Sequence, residues 1–277
     1  MSGERDSGPS REELLAQMLE FVSVEPAGGD GEWIGQPPHW WSGDYLFGGL
    51  VISQAIVAAT RNAPEGRRLH SMHVYFLRPA LASAPITYSV DPIREGRAFT
   101  SRHLRAAQSG KDVLEIACSF TADTDGYVYD LGGSCELPDR DQGEPDDGPG
   151  PWVASYIGPT DPLADETRES THRAWFRIPG ELPDDVHLYT ALLGFASDWT
   201  GIGGRPLHLE GDTEGMVSLD HAVWFHRPAR ADQWLFFDVQ ALVNAGGRGL
   251  LRGVMRDEDG RVVVSVAQEM KLAVIDS

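Results

Sequence analysis

The stretch "SMHVYFLRPALASAPITYSV" (residues 71–90) has a counterpart much later in the chain, "LDHAVWFHRPARADQWLFFDV" (219–239). Arg78–Pro79 matches Arg227–Pro228 at an offset of 149, and the aromatic pair Tyr75–Phe76 matches Trp224–Phe225. The correspondence then continues in order. "GRAFTSR" (96–102) aligns with "GRGLLRG" (247–253), and "GKDVLEIACSF" (110–120) with "GRVVVSVAQEM" (260–270). Each half also places an apolar helix ahead of its strands: "FGGLVISQAIVAA" (47–59) and "VHLYTALLGFASD" (186–198). A single Arg-Pro match carries little weight, but four matches in one order read as an internal duplication. The repeated unit is a helix followed by about four strands, an α+β architecture.

The strands say which side chains point inward. In 262–270 the even positions are Val262, Val264, Val266, Gln268 and Met270, whereas the odd positions include Ser265 and Glu269. Period-two alternation therefore puts Gln268 on the apolar, helix-facing side. The matching face of the first copy reads Leu114, Ile116, Cys118 and Phe120, with a small thiol in place of the amide. The second helix is just as informative. From Val186 to Ala196 it has almost no polar face, yet it ends in Asp198, ahead of Gly201 and Gly203–Gly204. Burial disfavours an ionised carboxylate there, and so does the negative end of the helix dipole. Ser53–Gln54 is read as the first-copy equivalent of Ser197–Asp198. One half is thus expected to be simply packed, while the other carries polar groups inside its core.

Around the repeats, Ser10 and Glu13 fit a capping box opening a short helix with Leu14, Leu15, Met18 and Leu19. Residues 1–24 are assigned to that helical segment, 25–125 to the first unit, 126–165 to a linker and 166–277 to the second unit. The linker contains "SCELPDRDQGEPDDGPGP" and reads as mobile surface chain. Residues 132–170 hold ten acids against two arginines, so part of the net charge of −19 is local. That charge argues against nucleic acid as a partner, but not against a small phosphate-bearing ligand. Apolar residues at 41% are globular composition, and no run approaches a membrane span. Cys118 and Cys135 form neither a metal motif nor a disulfide framework. No signal peptide is evident, and a cytoplasmic location is expected.

With the halves laid out, the chain resembles the type II, TesB-like acyl-CoA thioesterases, which are double hotdog enzymes. The resemblance runs from about Phe47 to Val274 and rests on "LFGGLVISQA", "HSMHVYFLRP", "LLGFASD", "SLDHAVWFHRP", "GGRGLLRG" and "SVAQEM", in family order. It implies two tandem helix-on-antiparallel-sheet units forming one continuous sheet. It also implies that an Asp, a Ser or Thr, and a Gln hold the attacking water. In the matching motifs these are Asp198, Ser218 and Gln268. Ser218 stands where relatives often have Thr, and Leu50 where they often have Gln.

Thioester hydrolysis needs a water deprotonated as it attacks, and hydrogen-bond donors for the oxyanion that forms. Asp198 is the only acid in either central helix after its opening turn, and burial should raise its pKa toward that of a useful base. Periodicity groups Ser218 with Asp220, Ala222 and Trp224, away from the apolar face, so only the resemblance brings it inward. Asp220 is a rival acid. Leu50, Trp199 and Phe225 are candidates for an acyl slot. Arg227 and Arg248 are candidates for contact with the phosphates of CoA. There is no G-x-S-x-G elbow, "GIGGRP" lacks a dinucleotide fingerprint, His70 and His73 have the wrong parity for a metal pair, and Cys118 reads as core. No metal or cofactor is required. The expected partner is acyl-CoA, with self-association into a homodimer or homotetramer. A non-catalytic acyl-CoA or lipid binder is the first alternative. A hotdog enoyl-CoA hydratase is the second, weakened by the absence of an Asp-x-Asn-Pro-x-His motif.

Overall fold

The computed structural model describes residues 10–41, 43–122, 126–130, 136–146, 152–157, 171–199 and 217–272. Cys135 and the glycines at 201, 203 and 204 lie outside these residues. The first helix, α1 (Arg11–Phe21), opens on the expected box: Ser10 Oγ accepts from the Glu13 N–H at 3.3 Å, and the Glu13 carboxylate accepts from the Ser10 N–H at 2.7 Å. It buries Leu14, Leu15, Met18 and Phe21.

Two short strands follow, β1 (Glu25–Pro26) and β2 (Glu32–Gly35), ahead of the helix α2 (Gly48–Arg61). Next come β3 (Arg67–Phe76), β4 (Ile86–Glu95), β5 (Phe99–Gln108) and β6 (Lys111–Ala122). The second half has β7 (Glu144–Asp146), β8 (Val153–Tyr156), β9 (Thr171–Arg177) and the helix α3 (Val186–Ser197). It closes with β10 (Val217–Phe225), β11 (Leu235–Ala245), β12 (Arg248–Arg256) and β13 (Val262–Lys271).

All thirteen strands join one antiparallel sheet in the order β1-β2-β4-β5-β6-β3-β10-β13-β12-β11-β9-β8-β7. At its centre β4-β5-β6-β3 is mirrored by β10-β13-β12-β11, so the two copies meet where β3 pairs with β10. This is the double hotdog, with one hydrophobic core running through both units. Strands β7 and β8 fall inside the stretch expected to be a mobile linker. β8 pairs with β9, with Tyr156 opposite Ala174, and β7 pairs in turn with β8, so strands this short need no strong pattern of their own.

The helices α2 and α3 pack against each other on the sheet, and the N-terminus of α2 meets the C-terminus of α3. Gly194 permits the approach, since a Cβ there would lie 2.3 Å from Ile56 Cδ1. From Tyr189 to Ser197 every residue of α3 is buried, which explains a helix without a polar face.

Two expectations about the first copy need correcting. Ser53–Gln54 lies in the middle of α2, whereas Ser197 ends α3 and Asp198 is its C-cap, so the pairs are not equivalent. Nor is the first half simply packed. Gln54 is fully buried, and so is Arg102, whose guanidinium caps the end of α2 by donating to Asn62 O at 2.8 Å. Periodicity reports which face a side chain takes but not what it bonds to, so these polar groups were not legible as part of a core.

Candidate active site

Asp198 is 2% exposed, and both of its carboxylate oxygens are held. Oδ2 accepts from the Gly49 N–H at 2.8 Å, and Oδ1 from Gln268 Nε2 at 2.8 Å. Phe47, the N-cap residue of α2, cannot cap with its own side chain, so a carboxylate from the other unit satisfies that helix end. Asp198 therefore sits at the negative end of its own helix and against the positive end of α2, a compensation that reading α3 alone missed. The geometry depends on two glycines. A Cβ at Gly49 would lie 2.4 Å from Phe195 O, and one at Gly48 would lie 2.7 Å from Asp198 Oδ2. Burial pushes the Asp198 pKa up to about 7, against the opposing pull of the hydrogen bonds from Gln268 and Gly49.

Gln268 is fully buried on the helix-facing side of β13. Its Nε2 also donates to Ser218 Oγ at 2.7 Å, so one amide links the acid to the hydroxyl. Ser218 reaches this face through a β-bulge. Ser218 is opposite Met270 while Asp220 is opposite Glu269, leaving Leu219 as the extra residue. The bulge inverts the parity that had grouped Ser218 with Asp220 and Trp224. The rival acid turns away, and its Oδ1 accepts from the Glu269 N–H at 3.1 Å.

Two neighbours of this cluster were missed from sequence. Gly49 supplies a backbone donor, and the signal for it was the Gly-Gly opening "FGGLVISQA". His221 is buried directly opposite Gln268, with its Nε2 2.8 Å from Ser197 Oγ. Burial pushes the imidazole pKa down to about 3, and the Gln268 side chain opposes that shift. Its only trace in the sequence was its place in "SLDH".

The remaining candidates are scattered. Leu50 and Phe225 are core residues, while Trp199 is partly exposed and packs edge-on against Trp152 at 4.6 Å. Arg227 is bound to Asp130 at 2.7 Å and lies at the far end of β10 from Ser218. That separation is roughly 30 Å at about 3.4 Å per residue. Arg248 is at the Gln268 end of the sheet, opposite Lys271, and pairs with Glu269 at 3.0 Å. Cavities of about 380 Å³ beside Tyr189 and Arg230, and about 570 Å³ beside Arg68 and Arg227, do not include Asp198. The Cys118 thiol is buried and pushed up to about 12, which does not suit a nucleophile. Among the described residues, no three His, Cys, Asp or Glu side chains gather as metal ligands.

Residues 37–122 match the acyl-CoA thioesterase N-terminal domain, and residues 133–272 match the acyl-CoA thioesterase C-terminal domain. The chain belongs to the acyl-CoA thioesterase family. Acyl-CoA thioesterase 2 of Haemophilus influenzae is 30% identical over 246 residues, covering 81% of this chain and 86% of that protein. The tesB protein of Mycobacterium avium subsp. paratuberculosis superposes with a TM-score of 0.78 at 29% identity, covering 94% of this chain and 100% of that one. Acyl-CoA thioesterase II TesB2 of Mycobacterium marinum gives a TM-score of 0.77 at 28% identity, covering 94% and 98%. The thioesterase domains thus span both units, and the cluster of Gly49, Asp198, Ser218 and Gln268 draws on the two of them together.

Proposed function

We propose that this thioesterase hydrolyses acyl-CoA to a carboxylic acid and free CoA by direct attack of a water held by Asp198, Gln268 and Ser218. One observation carries the reading: Gln268 Nε2 bonds both Asp198 and Ser218, with the amide and the acid both buried. An acid with a pKa of about 7 is matched to proton transfer near neutral pH. As the water oxygen attacks the thioester carbon, Asp198 takes its proton. As the tetrahedral centre collapses, the C–S bond breaks and the same proton passes to the departing sulfur. Gln268 and Ser218 orient the water. The N-terminus of α2 points at the same spot, so its partial positive charge favours the oxyanion. No covalent intermediate on the protein is involved.

Arg248 fits contact with the phosphates of CoA better than Arg227 does, because it lies at the site's end of the sheet. Trp199 fits the acyl slot best of the apolar candidates, being partly exposed beside Asp198. No described helix is long and apolar enough to cross a membrane. The reading includes a cytoplasmic location and a homodimer or homotetramer. Exposed Tyr75 and Trp224, on the sheet face away from the helices, support self-association.

A thiol-release assay over a series of acyl lengths tests the reaction. Wild type should turn over at least one substrate, and Asp198→Asn and Gln268→Ala should do so at least about a hundred-fold more slowly. Equal rates for all three on every substrate would leave the non-catalytic binder, and loss of enoyl absorbance without thiol release would leave the hydratase.

A further inference from the structure

The reaction uses Gln268 through its nitrogen, yet an amide offers two chemically different ends. Nε2 must face the Asp198 carboxylate and Ser218, because a carbonyl oxygen turned toward Oδ1 would be repelled. Both N–H groups are then committed, and the orientation persists only if something favours Oε1 on the other side. β10 places a residue there. His221 pairs directly with Gln268 across the β10–β13 ladder, and both side chains are buried. The far side of the ring is held at the end of α3, where Nε2 lies 2.8 Å from Ser197 Oγ. Ser197 is in turn the residue immediately before Asp198. A ring wedged between the helix that carries the acid and the strand that carries the amide is placed to fix one relative to the other.

We infer that His221 is a positioning residue, holding a neutral ring with its proton on Nδ1 and directing that N–H toward Gln268 Oε1. Ser197 Oγ, which also lies 2.7 Å from Gly194 O, then turns its one proton from that carbonyl to Nε2, and the relay runs Ser197, His221, Gln268, Asp198. Nδ1 has no hydrogen-bond partner of standard geometry in the resting arrangement, so the contact with Oε1 closes fully as the water and substrate seat. Burial keeps the ring neutral across the working pH range, so its hydrogen-bonding pattern does not change with pH. The inference rests on the water-holding role given to Gln268 above.

The test compares His221→Asn, whose side-chain nitrogen overlays Nδ1, with His221→Leu, which has no donor. His221→Leu should lose kcat by roughly ten- to a hundred-fold, the range for outer partners that orient a reacting group. KM should stay within about two-fold, since no substrate contact is removed. His221→Asn should recover most of the loss. In a Gln268→Ala background, His221→Leu should cost nothing further, because its effect passes through the amide. Thermal unfolding of each variant separates loss of folded protein from loss of rate. Nitrogen NMR of the wild-type ring should report the Nδ1–H tautomer, and this measurement needs no variant to fold. The positioning role is overturned by an Nε2–H tautomer, or by a folded His221→Leu with wild-type kcat while Gln268→Ala is impaired. If Gln268→Ala itself keeps wild-type kcat, the failure belongs to the water-site reading instead.

Discussion

Two buried glutamines divide this molecule more clearly than its two domains do. Gln54, in the middle of α2, donates through Nε2 to Phe21 O at 2.7 Å and Gln36 O at 3.0 Å, and its Oε1 accepts from the Tyr88 hydroxyl at 2.8 Å. Gln268 donates to a carboxylate and a hydroxyl. Both are fully buried, so burial does not distinguish them. Partners do. Backbone carbonyls have no other state to adopt, and an amide tied to them ties α1 and β2 to the first unit. A carboxylate with its pKa near 7 and a hydroxyl free to rotate can both change partners during a reaction. The first glutamine is a rivet, and the second, on the proposed reading, is part of a site.

That contrast breaks most readily at Asp198. Asp198→Asn keeps the shape but removes the proposed base, and kcat should fall by about 10²–10⁴-fold in the thiol-release assay. If the residue were merely structural, the neutral amide would be tolerated at little cost to the rate. Gln268→Ala should come next, with kcat down by about 10²–10³-fold. Gln54→Ala should leave the rate per folded molecule unchanged. Instead it should lower the denaturation midpoint, at roughly 1–3 kcal/mol for each partner left unsatisfied. Reversed results for this pair of variants would dissolve the distinction between rivet and site.

A smaller effect sharpens the comparison through pH. As the proposed base, Asp198 must be ionised, so kcat/KM should fall about ten-fold per unit below pH 7 and level off above it. Stability should respond with the opposite sign. The folded state holds the proton more tightly than the unfolded one, from 3.8 up to about 7, so the contribution of this residue declines as pH rises through that window and is then constant. Asp198→Asn should flatten that slope, whereas Gln54→Ala should preserve it in urea titrations across the same range. The smallest change expected is at Ser218. Ser218→Thr keeps the hydroxyl and should stay within a few-fold of wild type, and Ser218→Ala should lose about five-fold, consistent with one neutral hydrogen bond of about 1 kcal/mol.

The duplication was legible because both copies obey the same alternation and keep the same turn residues around Arg78–Pro79 and Arg227–Pro228. Gln268 was legible for the same reason, since strand parity places a residue on one face wherever the ladder is regular. Ser218 was not, because a single extra residue at Leu219 inverts parity, and a bulge leaves no mark on hydropathy. The comparison of Ser53–Gln54 with Ser197–Asp198 failed because similar letters fall at different heights on the two helices.

By itself, then, the chain's sequence determined the repeated unit, the inward face of β13 and an acid at the end of an apolar helix, since these follow from local periodicity. Only the tertiary structure decided that the acid caps a helix 149 residues away, that Gln268 bridges it to Ser218, and that His221 faces that bridge. Those contacts join elements remote in sequence, and their hydrogen bonds exist only once both units have closed around one core.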